Sequence, residues 1–378
     1  MSICLEEISI NVEKYDFENV KELVKSEDLT GLNQIIENVD LLISTVGALH
    51  AMKITQKKPD ILSAPYVAYW WWEIEELPEY FLKNAKYFDE IWAPTTFIYK
   101  NFKKVLENKV VLAPLMLRLD SETEGLTRAD FQLPEDVPVF LVRFDFFSSI
   151  DRKNPYAAIK SFTRAFESQK EAFLLIKTVN GKYNSRLYED LVLSVQDRAD
   201  IRVWDEQLIN SVNNDLMKCV TGYLSLHRSE GLGLNILEAM QAKVPVVTTA
   251  YGGNMDFCTS ENSFLIPFTL IPIEDRSYLY PPLGVWAEPD IDEAKKAILA
   301  IAQGGKEIEQ KVNSGFEKVD SLNNSGNFAY FVEKRVEKLR IKKQNLQTES
   351  FRNDLFLENF FRRTKDFIFK TRDLFKLR

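Results

Sequence analysis

The segment "LHRSEGLGLNILEAM", residues 226–240, gathers groups that rarely share so short a span. Glu230 and Glu238 flank Gly231 and Gly233, and His227 and Arg228 lie just upstream. A glycine turn that opens a helix offers unpaired backbone N–H groups and the positive end of the helix dipole, which suit a phosphate. Gly231 and Gly233 let a ligand approach the main chain, and Leu232 and Leu234 belong to the same turn. The carboxylates suit another partner. An ionised carboxylate only accepts, and its two oxygens can take hydrogen bonds from vicinal hydroxyls. Glu230 is placed for a sugar ring, and Glu238, about two helical turns further on, for a ribose diol. A phosphate between two polyols describes a nucleotide sugar. The competing reading is a plain helix start with solvated glutamates.

Other residues invite the same kind of choice. Arg152 and Lys153, in "SSIDRKNPYAAI", precede a helix N-cap, where the dipole disfavours cations. An anionic partner would explain them; so would two solvated surface charges. Lys177 closes the apolar run "AFLLIK" and either snorkels to water or faces a ligand. Arg143, inside "FLVRFDF", either pairs with an acid such as Asp145 or joins the ligand set. His227 either orients a phosphate or sugar or is a satisfied polar residue at a strand end, and His50, after a strand and glycine, poses the same alternative. In "YWWWEIEELP", Trp72 and Glu73 fit an acceptor-side carbohydrate platform or an aromatic core.

These residues need elements to position them. From about residue 137 strand-like and helix-like segments alternate: "PVFLVRFDF", "NPYAAIKSFTRAFES", "AFLLIKTV", "SRLYEDLVLSVQ", "IRVW", "VNNDLMKC", "VTGYLSL", "LNILEAMQA" and "VPVVTTA". Such alternation means βαβ units and a parallel sheet. Ligands of these sheets bind outside the carboxyl ends of the strands. The residues that follow the proposed strands are Asp145 to Lys153, Lys177 to Asn180, His227 to Gly231, and Tyr251 to Asn254 with Gly253, so the distinctive chemistry falls on one sheet edge. The first 120 residues read as a second α/β unit, and the polar, proline-bearing stretch near 118–135 reads as the boundary.

Composition bounds the answer. The 378 residues suit two domains. A hydrophobic content of 45% with 28% charged residues suits an ordinary soluble protein. Three scattered cysteines without metal spacing imply no metal site and a reduced, cytoplasmic setting. No signal peptide or membrane span is legible. A net charge of −8 argues against a nucleic-acid partner.

In order along the chain, "FDFFSSIDRKNPYAAIKSFTRAF", "LLIKTVN", "LSLHRSEGLGLNILEAM", "VPVVTTAYGGNMDF" and "VWAEPD" resemble family 4 glycosyltransferases of the GT-B fold. "YWWWEIEELPEYF" and "FDEIWAPTTFIYKNF" are similar to N-terminal signatures of bacterial members that build surface polysaccharides. The resemblance covers roughly residues 60–300. It implies an α/β protein of two Rossmann-like domains facing across a cleft, at 1–125 and 126–340, with a helical tail at 341–378. It implies retention of anomeric configuration, no metal, and no cofactor beyond a UDP- or GDP-linked donor substrate; the acceptor is a glycan or lipid-linked glycan. Glu230 would contact the donor sugar and Glu238 the ribose. Lys153, with Arg152 or Arg143, would neutralise the diphosphate, assisted by the amides of residues 231–234. One departure stands out. No glycine precedes Gly31, so the N-terminal domain reads as shortened by its first βα unit and the glycine-rich loop that follows it. A non-catalytic GT-B subunit that keeps the donor-binding fold is therefore the alternative.

The last 28 residues, 351–378, mix Phe and Leu with Arg and Lys. A basic aromatic helix suits a membrane surface or a partner protein, or packs back on its own chain. Surface attachment would make the protein peripheral at the inner face of the membrane.

Overall fold

The computed structural model describes residues 41–45, 62, 65–115, 119, 121–276, 280, 282–323 and 327–348. Residues 1–40, His50 and the tail 351–378 lie outside them, and with them the expected shortening of the N-terminal domain and the expected docking role of the tail. The expected fold class is observed: two parallel α/β layers.

The first layer is a four-stranded parallel sheet in sequential order, β1 (Leu42–Ser44), β2 (Tyr66–Tyr69), β3 (Glu90–Ala93) and β4 (Val110–Leu112). Helices α1 (Glu79–Ala85) and α2 (Thr96–Leu106) connect its later strands. Thr95 caps α2 by accepting from the Ile98 amide. The second layer has six parallel strands: β5 (Val139–Asp145), β6 (Phe173–Val179), β7 (Ile201–Asp205), β8 (Gly222–Ser225), β9 (Val246–Thr249) and β10 (Phe264–Ile266). Their order is β10-β9-β8-β5-β6-β7. The chain winds outward from β5 in one direction, returns, and winds outward from β8 in the other. The switch point between β5 and β8 is where open sheets of this kind open a crevice. Strands buried on both faces require nearly continuous apolar runs, which "VFLVRFD" and "FLLIKTV" supply.

The helices of this domain are α3 (Ile150–Lys153), α4 (Pro155–Ala165), α5 (Ser185–Leu193), α6 (Asn210–Lys218), α7 (Leu234–Gln241), α8 (Ile291–Gln303) and α9 (Lys306–Asn323). Asn154 caps α4 and Pro155 occupies its first position, as the sequence predicts. One face of the sheet packs Phe140, Phe162, Leu174 and Ile298; the other packs Leu141, Leu175, Ile236 and Met240.

Two elements cross between the layers. The antiparallel hairpin β11 (Phe268–Pro272) and β12 (Val285–Pro289) follows β10, yet Ile273, Tyr280 and Trp286 pack into the N-terminal core with Trp70, Trp72 and Phe81. Helix α10 (Asn327–Thr348), which begins inside the range read as the C-terminal domain, packs Phe328, Ala329 and Val332 on Val67, Tyr69 and Trp92 of the first sheet. Arg335 adds a two-pronged ion pair to the mostly buried Glu90, at 2.5 and 2.9 Å. The boundary placed at residue 340 thus falls inside a helix whose apolar face already belongs to the first sheet. No helix among the described residues is long and apolar enough to cross a membrane.

Candidate active site

A cavity of about 300 Å³ opens at the carboxyl ends of β5 and β8. Its lining includes Arg143, Arg152, Lys153, Glu230 and residues 231–236 from the C-terminal domain, with Trp71 and Glu73 from the other.

The cations arrive on a turn the sequence shapes locally. Ser149 caps the single-turn α3 by accepting from the Arg152 amide at 3.1 Å. Asn154 ends it in the left-handed region and then caps α4. Arg152 and Lys153 therefore close one short helix before the next begins. As the last residues of α3 they sit at a helix end that favours cations, which offsets the unfavourable dipole at the start of α4. Lys153 Nζ donates to Glu230 Oε1, and Arg152 Nη1 lies 3.3 Å from the same oxygen. Arg152 also donates to the Ser229 carbonyl at 2.8 Å, and the Arg152 carbonyl accepts from the Arg228 amide at 2.7 Å. Burial pushes the Glu230 carboxyl up, but Lys153, Arg152 and His227 outweigh it and hold it down at about 2. Glu230 is thus a carboxylate at any ordinary pH.

The turn before α7 is built from backbone contacts. Gly233, at φ +91°, begins the helix, and a side chain there would meet Ile236. Gly253 packs directly on the Gly231 carbonyl, where no Cβ fits, and donates its amide to the Glu230 carbonyl at 2.7 Å. Gly253 thus braces the turn from behind and is not among the cavity's lining residues. Leu232 is largely buried, and Leu234 is exposed at the helix start.

His227 is 1% exposed. Its Nε2 donates to the Tyr251 carbonyl at 2.9 Å, and its Nδ1 lies 2.9 Å from the Ser225 hydroxyl. Burial pulls its pKa down to about 4, so the ring is neutral and Nδ1 accepts. Of the two readings open from sequence, His227 takes the satisfied one. It holds the strand end and is not among the lining residues.

Two other residues differ from the expected placement. Lys177 is 2% exposed and stays beside its own strand, donating to the Thr178 carbonyl at 2.8 Å and to the Glu206 carbonyl. Its ammonium lies over Trp204, and burial lowers its pKa to about 8. Those acceptors hold it away from the cavity. Trp72 is a core residue: its Nε1 donates to the Glu76 carbonyl at 2.8 Å, and its ring packs on Phe81 and Tyr280. The ring that reaches the cavity is Trp71, which sequence reasoning passed over. Alternation along an extended segment is the signal that separates neighbouring tryptophans.

Glu238 is paired with Arg143, which also donates to Asn235 Oδ1 at 2.8 Å and accepts Asn235 Nδ2 on its carbonyl at 2.9 Å. Glu238 itself lines a different groove, of about 290 Å³, with Lys218, Gln241 and Asp320. Glu230 and Glu238 therefore face two separate hollows instead of the single one expected from sequence; Arg143 lines the first and is ion-paired to Glu238 in the second, and Asn235 was not foreseen. Among the described residues no cluster of His, Cys, Asp and Glu could hold a metal ion.

Across the cleft, Thr95 donates to the Gly231 carbonyl at 2.9 Å, the Thr96 amide to Asp256 at 2.6 Å, and Tyr251 to Glu75 at 3.1 Å. Ser229 donates to the Glu73 carbonyl.

This arrangement can be set beside known proteins. Residues 144–270 match the family Glycosyl transferases group 1. That segment carries the switch point, both glutamates and the cationic turn. No curated protein matches the chain in sequence. Among solved structures, a glycosyltransferase from Rickettsia africae is 14% identical, with a TM-score of 0.61 over 87% of this chain and 84% of that one. The Anabaena protein Alr3699/HepE, in complex with UDP and glucose, is 12% identical, with a TM-score of 0.61 over 89% of each chain. Sucrose-phosphate synthase from Thermosynechococcus elongatus is 17% identical, with a TM-score of 0.61 over 86% of this chain and 79% of that one. At these identities the likeness establishes the fold, two Rossmann-like layers of the GT-B type.

Proposed function

We propose that the protein is a retaining glycosyltransferase that moves a sugar from a UDP- or GDP-linked donor to a glycan or lipid-linked glycan without a metal ion. One observation carries the reading: Lys153 and Arg152 converge on Glu230 in a cavity at the switch point, beside the glycine-started helix α7. The group 1 match and the UDP complex of a structural neighbour support it.

In this reading the donor diphosphate takes over the two cations and the N–H groups at the start of α7, and Glu230 turns to the hydroxyls of the donor sugar. Glu238 receives the ribose diol, with Arg143 beside it. As the bond from C1 to the phosphate oxygen breaks, negative charge grows on the leaving diphosphate, and cations already in place stabilise it. Arg152 is locked to the Ser229 carbonyl and moves little in doing so. The acceptor oxygen bonds to C1 on the face the diphosphate leaves, and its proton passes to the departing phosphate oxygen. Glu230, ionised throughout, neither donates that proton nor needs to form a covalent intermediate. His227 and Gly253 keep the turn in place. Residues 351–378 would hold the protein on an anionic membrane surface near its acceptor.

The test is transfer from a panel of UDP- and GDP-sugars, followed by proton NMR of the anomeric signal. Retention of configuration, a rate unchanged by EDTA, and a loss of at least about a hundredfold in Glu230→Ala are expected. Inversion would overturn the mechanism. Nucleotide binding with no turnover on any donor would favour a non-catalytic subunit.

A further inference from the structure

Both cations of the site ride on α3, and a single turn of helix cannot fix its own position. The caps at Ser149 and Asn154 shape that turn; the β11–β12 hairpin decides where it sits. Asp151, the second residue of α3, is 6% exposed and is not among the cavity's lining residues. Its carboxylate accepts from the Arg276 amide at 2.7 Å and from Arg276 Nε at 2.9 Å, and Arg276 Nη2 lies 2.9 Å from it. The Ser149 hydroxyl, which accepts from the Arg152 amide, donates to Asp275 Oδ1 at 2.6 Å. The other Asp275 oxygen accepts from the Tyr280 amide at 3.0 Å.

Arg228 reaches the same turn from the far end of the hairpin. It donates from Nη1 to the Asp151 carbonyl at 2.9 Å. Strand β12 holds it in place: Nε donates to Glu288 at 2.6 Å, the guanidinium lies 5.5 Å from the Trp286 ring, and the Arg228 carbonyl accepts from the Ala287 amide at 2.9 Å. Both ends of the hairpin therefore fasten α3, directly or through Arg228. The hairpin is itself rooted in the N-terminal core, and the Tyr280 hydroxyl donates to Glu73 Oε2 on the opposite wall at 2.8 Å.

We infer that the β11–β12 hairpin sets the diphosphate cations against the opposite wall, with Arg276 as a positioning residue that acts on Arg152 and Lys153 through Asp151. The inference rests on the proposed transferase reading and adds to it what holds the leaving-group cations in place. A half-exposed arginine contributes little as a surface pair, but a buried carboxylate left without its cation is costly, so α3 shifts when Arg276 is lost. A misplacement of about 1 Å in a positioning group is enough to cost about a hundredfold in rate.

Calorimetric titration of the full chain with UDP, GDP, uridine and guanosine tests this. Arg276→Met should lower the preference for diphosphate over nucleoside about tenfold while nucleoside affinity holds, a split that general loosening of the fold would not produce. Arg276→Lys should lower it no more than about threefold. Asp151→Asn separates position from charge: removing an anion near Arg152 and Lys153 tightens diphosphate binding by charge alone, whereas loss of the tether weakens it about tenfold. The double variant should lose no more than the larger single loss, because both changes cut one link. Arg164→Met, which breaks the exposed pair with Asp292 between α4 and α8, should leave the preference unchanged. An unchanged preference in Arg276→Met, tighter diphosphate binding in Asp151→Asn, additive losses in the double variant, or an equal loss in Arg164→Met would overturn the inference. A wild type that binds diphosphate and nucleoside alike would overturn the donor reading first, and this one with it.

Discussion

The two walls of the cleft are built in opposite ways. On the C-terminal side, the groups of the cavity come from the ends of β5 and β8 and from the turns and helix starts that directly follow them, and their neighbours in sequence are their neighbours in space. Ser149, Asn154 and Gly233 cap or start the adjoining helices within a few residues of the side chains they aim. On the N-terminal side, Trp71 and Glu73 depend on distant chain. Tyr280 and Ser229 reach Glu73 from the second layer, and Trp286 and α10 complete the core beneath. A site assembled from local turns can be read from a motif; one assembled across long separations cannot.

Substitutions can break or sharpen this contrast. The largest effect should fall on the local wall. Lys153→Met should cost about 3 kcal/mol of transition-state stabilisation, a hundredfold or more in kcat/KM, by analogy with removal of one preorganised charge partner. Lys177→Met, at a lysine committed to carbonyls beside its own strand, should change kcat/KM by no more than about threefold. Equal losses in steady-state assays would erase the distinction drawn between the two lysines.

The long-range wall should respond in stability before activity. Arg335→Met leaves the mostly buried Glu90 with the Trp92 indole as its one remaining side-chain donor among the described residues, at 3.0 Å. A cost of about 2–3 kcal/mol in urea unfolding is expected, below the range for fully buried pairs because Arg335 is partly exposed. A loss under 0.5 kcal/mol would mean that α10 is not anchored as described.

A comparable effect should follow pH. His227 is held neutral by burial, with its pKa lowered from 6.5 to about 4. The unfolded chain binds its proton first, so stability is complete above about pH 6.5 and drains as pH falls toward 4. Glu230, depressed from 4.5 to about 2, adds a second loss below about 4.5. His227→Asn should flatten the melting temperature between pH 6.5 and 4.5 relative to wild type. An unchanged slope would assign it elsewhere. The smallest expected effect is Tyr251→Phe, which removes one bond across the cleft to Glu75 and should cost about 1 kcal/mol.

The same contrast explains what the sequence discloses. The order of strands and helices in the second layer, the caps at Asn154 and Pro155, and the gathering of Arg152, Lys153 and Glu230 on one sheet edge follow from periodicity and turn chemistry. The destination of Lys177 does not, because it is decided by the Glu206 carbonyl on the neighbouring loop. The choice between Trp71 and Trp72 turns on the exact register of a short extended run. The hairpin's allegiance to the N-terminal core is set by Tyr280 and Trp286 filling space beside Trp72, a contact across more than 200 residues that no local pattern encodes.

The central claim is that a diphosphate is held at the carboxyl edge of the second sheet by Arg152 and Lys153. Calorimetric titration of wild type and Lys153→Met with UDP, GDP and the corresponding nucleosides addresses it directly. The account predicts that wild type binds one diphosphate at least tenfold more tightly than its nucleoside, and that Lys153→Met loses most of that preference while nucleoside affinity holds. A wild type that binds nucleoside and diphosphate alike, or a variant that keeps the full preference, would contradict it.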